Sequence, residues 1–168
     1  MPKMNLNDLM ADNKNIAILR LLQKDPRISI SELARQIGMS NPAAKERVLR
    51  LEKSGIISGY QLELNPKALG HGVTAFVRIR PLPGRLPKIA DLAKRVSAVV
   101  ECHRITGEDC FLLKVHIPEI ESLDQVLDQF LAHGQTTTSI VQSSPVPPRP
   151  PPLPPSVAGR RRAKPKQK

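Results

Sequence analysis

The chain has 168 residues, with 26 Lys+Arg against 15 Asp+Glu, four aromatic side chains and two cysteines, which leaves room for one or two small domains. Two cysteines cannot build a disulfide framework, and Tyr60, Phe76, Phe111 and Phe130 are too few to stack a single nucleic-acid strand. No run approaches the ~18 apolar residues of a membrane span, and MPKMNLNDLM has no apolar core of a signal peptide, so a cytoplasmic protein with reduced thiols is expected.

The positive charge is unevenly spread. Residues 1–65 hold 10 Lys/Arg and 7 Asp/Glu, residues 66–144 hold 9 and 8, and residues 145–168 hold 7 and none. Most of the excess therefore sits at the end of the chain, and a nucleic-acid reading must rest on pattern, with charge in support.

Asp12 can cap a helix over residues 13–24, which Asp25-Pro26 ends. Its Ile16, Ala17, Ile18, Leu19, Leu21 and Leu22 cover most of the circumference, as expected of a helix buried on several sides. Ser29 and Glu32 then have the spacing of a capping box. Leu33, Ala34 and Ile37 make one apolar stripe, and Gly38 can take the left-handed conformation that closes a helix. Ser40 is a second N-cap, followed by Pro42 in the first turn, and a second helix runs to about Ser54 before Gly55. Two short helices joined by a glycine-containing turn are the helix-turn-helix signature. Double-stranded DNA is the partner this motif predicts.

On the second of these helices Ala44, Val48 and Leu51 face inward. The N-terminal turn of a recognition helix reaches base edges and the rest meets phosphates. Asn41, Pro42, Ala43 and Glu46 are therefore expected near bases and Lys45, Arg47, Arg50 and Lys53 along the backbone, with the N-cap Ser40 completing the DNA-binding set. The segment IISGYQLELN reads as a strand leaving this unit and ending at Asn65-Pro66.

From Val73 the pattern changes. VTAFVRIRP is β-rich, residues 87–97 have helical spacing, VVECHRIT and CFLLKVHIP are strands joined by a turn at Gly107-Glu108-Asp109, residues 120–131 form a helix, and TTTSIVQS is a last strand. The order βαββαβ is the ferredoxin-like arrangement, an antiparallel sheet with both helices on one face. Its other face would be bare, which points to a dimer. The fold class is thus α+β, with a helix-turn-helix (winged-helix-like) domain at 8–58, a strand and linker at 59–72, a ferredoxin-like domain at 73–143 and a tail at 144–168. PVPPRPPPLPP and RRRAKPKQK make that tail a disordered or polyproline segment with a basic end, able to touch phosphates non-specifically.

The stretches SISELARQIGMS…RVLRLEKSGIISGY, NPKALGHGVTAFV and VVECHRITGEDCFLLKVHIP occur in the order found in the leucine-responsive regulatory protein/AsnC (feast/famine) family, which residues 10–143 resemble. The resemblance implies a transcription regulator whose second domain binds an amino acid or related small molecule, built from dimers that associate into tetramers or octamers. The chain departs from the family pattern at Cys110-Phe111, where an aspartate often precedes the aromatic, in a short 131–135 segment, and in the Pro/Arg tail.

With that resemblance, the polar turn Thr106, Gly107, Glu108 and Asp109 becomes the candidate effector site: Glu108 or Asp109 could hold an ammonium group, while Thr136, Thr137 and Thr138 offer hydroxyls. Cys102, His103, Cys110 and His116 are a poor metal set, because neighbours on a strand face opposite ways and C-x₂₋₄-C spacing is absent. No nucleophile–base pair, phosphate loop or H-E-x-x-H is present, so neither an enzyme nor a cofactor is expected.

Overall fold

The computed structural model describes residues 6–155. Its contacts divide the chain into two units: the residues up to Leu62 together with those from Pro148, and Glu63–Pro147.

The first unit holds four helices, α1 (Leu6–Ala11), α2 (Asn13–Lys24), α3 (Ile30–Ile37) and α4 (Asn41–Lys53). Their ends follow from local chemistry. Asp12 accepts a hydrogen bond from the Lys14 N–H, Ser29 from Glu32 and Ser40 from Ala43, each settling a donor that the first turn leaves without a helical partner. Gly38 closes α3 at φ 61°, where an L side chain would be strained. The capping box is only half made: the Glu32 carboxylate accepts from Arg35 and Gln36. Ile18, Leu19, Leu33, Ala34, Ile37, Ala44, Val48 and Leu51 form the buried core.

Three features of the described residues differ from the sequence reading. Helix α1 precedes the expected start and packs through Leu9, whose carbonyl accepts from the buried Asn15. Residues 58–65 form no strand. A ladder needs a second strand, and among the described residues none pairs with this segment, where Leu62 is 82% exposed. Nor, among the described residues, does a hairpin wing follow α4.

The second unit contains β1 (Val73–Pro81), α5 (Leu86–Ala93), β2 (Val99–Arg104), β3 (Phe111–Ile117), α6 (Leu123–Leu131) and β4 (Gly134–Ile140). The strands pair antiparallel in the order β2-β3-β1-β4. The expected βαββαβ order is thus present, and β1 has the expected bounds. Strand alternation sends Ala75, Val77, Ile79, Phe111, Leu113, Val115 and Ile117 to one face, where they bury against Ile89, Ala93, Val126 and Phe130 of the helices. The opposite face carries Phe76, Arg78, Arg80, Leu112, Lys114 and His116, all exposed or half-buried.

The Pro-rich stretch is described as far as residue 155. Residues 148–155 have neither helix nor strand, but Leu153 packs on the core of the first unit and Gln23 Nε2 donates to the Pro151 carbonyl at 3.2 Å. The basic end from Arg160 lies outside the described residues.

Candidate nucleic-acid interface

The turn between α3 and α4 and the leading turn of α4 are presented to solvent. Ser40, Asn41 and Pro42 are exposed, and Ala43 is half-buried. The Asn41 amide donates to the Ser31 hydroxyl on α3 at 3.4 Å, a long contact that fixes little. Below it, Ala44, Val48 and Leu51 are buried, so the inner face of α4 is locked and its outer face is set by periodicity.

That outer face carries Lys45, Glu46, Leu49, Arg50 and Lys53, all exposed. Arg50 forms an i,i+4 ion pair with Glu46 at 2.5 Å, but both side chains are well hydrated and such a pair contributes little. A phosphate can displace Glu46 at slight cost. The helix dipole adds positive potential at the leading turn.

Arg47 departs from the sequence reading. Its guanidinium turns back to Asp12 at 2.5 Å and to the Asn15 side-chain oxygen at 2.8 Å, half-buried between α2 and α4. Burial alone would raise the Asp12 carboxyl, but hydrogen bonds from Arg47 and the Lys14 N–H outweigh it and hold it below its ordinary value. Arg47 is therefore a structural cation and not a free phosphate ligand. Lys14 has a comparable role, donating to the Ile37 carbonyl at the end of α3. On α3 the exposed Arg35, bound to Glu32, is a cation the sequence reading left aside.

The polar turn of the second unit joins β2 to β3. The Ile105 N–H donates to the Cys110 carbonyl at 2.9 Å, and Gly107 takes φ 110°. Glu108 pairs with Arg80, and Asp109 lies 3.7 Å from Arg80 and 3.9 Å from Arg78. The two arginines, two apart on β1, share the open sheet face, and that spacing in VRIR was the available signal for them. The three threonines do not gather there. Thr137 lies opposite Arg78 on the open face, while Thr136 and Thr138 lie opposite Ile79 and Val77, whose side chains bury under the helices. Of the expected effector set, the structure brings together Glu108, Asp109 and Thr137 with the arginines; Thr106 and Gly107 stand exposed in the turn.

The cysteines and histidines are dispersed. Cys102 is opposite Leu113 and His103 opposite Leu112, hence on opposite faces. His116 Nδ1 is 2.9 Å from the Thr74 hydroxyl, and Cys110 lies in the turn. Among the described residues no three His, Cys, Asp or Glu are placed to hold a metal ion, and no helix is long and apolar enough to cross a membrane.

Comparison with known proteins matches both halves. Residues 12–58 fit the model of winged helix-turn-helix DNA-binding domains, and residues 74–151 fit that of Lrp/AsnC ligand binding domains. The second match runs to 151, so part of the Pro-rich stretch falls inside the family's span. The chain is 36% identical over 133 residues to the HTH-type transcriptional regulator YezC of Bacillus subtilis, covering 79% of this chain and 94% of that one. It is 33% identical to the regulator LrpA of Mycobacterium tuberculosis, covering 81% and 92%. The solved structure of the feast or famine regulatory protein of Mycobacterium tuberculosis, complexed with L-methionine, superposes with a TM-score of 0.77 at 31% identity, covering 85% of this chain and 99% of that one. With a DNA-binding helix-turn-helix, a ligand-domain sheet and this kinship, the chain belongs to the Lrp/AsnC family of DNA-binding transcriptional regulators.

Proposed function

We propose that α4 lies in the major groove of duplex DNA, with Ser40, Asn41, Pro42, Ala43 and Glu46 at base edges and Lys45, Arg50 and Lys53 on phosphates. The observation that carries this reading is the exposed leading turn of α4 above a locked inner face. Side chains on a rigid helix reach bases at little entropic cost, and the lysines supply the sequence-independent part of the affinity.

The regulator acts as a homodimer or a larger assembly of dimers. Two features support this. The open sheet face exposes Phe76 beside Arg78 and Arg80, and Tyr60, Leu62 and Leu64 alternate along an extended segment without a ladder partner. A second copy would cover the one and pair with the other. Two recognition helices would then meet half-sites about one helical turn, ~10 bp, apart or a multiple of it.

The effector is an amino acid held at the turn Thr106 to Asp109. Arg78 and Arg80 beside Glu108 and Asp109 offer both signs of charge to the carboxylate and ammonium of a zwitterion, and Thr137 adds a hydroxyl. The L-methionine bound by the Mycobacterium tuberculosis relative supports this ligand class. Binding changes transcription only through a difference in affinity between two assemblies or helix spacings.

A gel-shift series on the DNA upstream of the protein's own coding region tests the reading. Lys45→Ala and Arg50→Ala should weaken binding to every sequence. Unchanged affinity in both variants would remove α4 from the DNA.

A further inference from the structure

His71 and His116 come from different parts of the second unit and wall one open pocket of about 530 Å³. The Gly72 N–H donates to the Pro118 carbonyl at 3.1 Å, and a Cβ on Gly72 would stand 2.8 Å from that oxygen. Glycine thus lets the entry to β1 lie against the exit of β3, which brings the two histidines to the same end of the sheet. Strand β3, seven residues or roughly 23 Å long, separates this pocket from the turn at Glu108 and Asp109.

The lining carries one sign of charge. Arg95, just past α5, is exposed, and its Nε donates to the Asp91 carbonyl at 3.2 Å. That bond steadies the stem, and among the described residues no acid pairs with the guanidinium. No Asp or Glu lines the pocket. Glu101 acts on His116 from outside it, but is itself held by Lys114 at 2.8 Å. His116 Nδ1 is satisfied by the Thr74 hydroxyl, and His71 Nδ1 is enclosed without a partner, so each ring keeps Nε2 for a further hydrogen bond. An enclosed nitrogen is left unpaired more readily as an acceptor than as an N–H, which puts the His71 proton on Nε2 as a donor. Ser122 and Gln125, at the start of α6, add a hydroxyl and an amide, while Val96, Ala98 and Val126 supply an apolar wall.

We infer that this pocket binds a small organic carboxylate that lacks an ammonium group. The Arg95 guanidinium takes the carboxylate, the neutral donors complete its hydrogen bonds, and the apolar body of the ligand lies on Val96, Ala98 and Val126. The volume is within the range of about 300–1,000 Å³ usual for small-molecule sites. An amino acid would bring a cation to a wall with no acid to meet it, at the cost of desolvating that charge without a partner. The turn at Glu108 and Asp109 offers both signs of charge, so the two sites differ in the ligand each prefers.

Isothermal titration calorimetry on the full-length chain tests this, with 4-methyl-2-oxopentanoate, L-leucine and inorganic phosphate as probes. The oxo acid and L-leucine share a carbon skeleton and differ in the ammonium group. The oxo acid should bind the wild type, and Arg95→Gln should weaken it about tenfold or more. Lys88→Gln removes the same charge from an exposed position on α5 outside the pocket and should leave the affinity unchanged. Ser122→Ala should weaken binding by a smaller factor. No binding of the oxo acid at millimolar concentration, or equal affinity in the wild type and Arg95→Gln, overturns the site. L-Leucine affinity that falls as far as the oxo acid's in Arg95→Gln overturns the discrimination against an ammonium group. Phosphate bound as tightly as the oxo acid overturns the carboxylate class.

Discussion

Arg47 and Asp12, 35 positions apart, are joined at 2.5 Å, with the buried Asn15 receiving the same guanidinium at 2.8 Å. One cation thus ties the middle of α4 to the start of α2, and Asn15 carries the connection on to the Leu9 carbonyl of α1. Helix α4 is held in place by a charge that looks, in sequence, like part of its outer surface.

Arg47→Ala should therefore act on folding. It leaves the half-buried Asp12 carboxylate and the buried Asn15 side-chain oxygen without the guanidinium, a change expected to cost about 1–3 kcal/mol. Lys45→Ala, at an exposed site, should stay within about 0.5 kcal/mol of wild type. Urea unfolding of the two variants separates the roles, and equal stabilities would return Arg47 to the surface.

The same pair gives a pH dependence. The Asp12 carboxyl titrates below its ordinary 3.8 in the folded protein. On acidification the unfolded chain takes up the proton first, so this group's stabilisation is complete above that value and disappears as pH falls through the lower folded one. Asp12→Asn should flatten the loss of stability below pH about 4. The exposed Glu32 is drawn down to about 2 by hydrogen bonds from Arg35 and Gln36 and titrates in an overlapping window. The comparison is best made in a Glu32→Gln background, where an undiminished acid slope in Asp12→Asn would show the pair to be unimportant.

Charge at the interface should be read by salt. Each of Lys45 and Lys53 that neutralises a phosphate contributes about 0.9 to the slope of log affinity against log salt, so its alanine variant should lose about one. Arg50 must first leave Glu46, and Glu46→Gln should strengthen non-specific binding by freeing it. Parallel salt curves for wild type and all three variants would speak against phosphate contacts on α4.

Effector binding should need both charges of the turn. L-Methionine that binds the folded protein alone raises its melting temperature by mass action. Arg78→Ala and Glu108→Gln should each abolish or sharply reduce that rise. A rise equal to wild type in both variants would move the effector elsewhere.

Much of the helical unit is legible in sequence because its signals are local. Ser29, Ser40 and Gly38 act within one turn of themselves, and they bound α3 and α4 closely. Strands β1 and β3 alternate over a buried face, and the period alone identifies them. What escaped depends on partners distant in sequence. The alternation of Tyr60, Leu62 and Leu64 is the same whether or not a second backbone lies alongside, so it suggested a strand that the single chain does not form. Arg47 sits on a flank of α4, and only the position of α2 decides that it turns inward. Thr136, Thr137 and Thr138 are adjacent in sequence, but a pleated strand sends them to alternate faces. Arg78 and Arg80 escaped because the turn residues they hold are about 30 positions away.

The contact between the leading turn of α4 and base edges is tested most directly by photocrosslinking. A benzophenone amino acid replaces Asn41 in the full chain bound to its operator duplex, with the same probe at the exposed Gln129 of α6 as control. The expected result is a covalent adduct to a base inside the protected half-site from position 41 and none from position 129. Retained binding with no adduct from position 41, or adducts of equal yield from both, would contradict it.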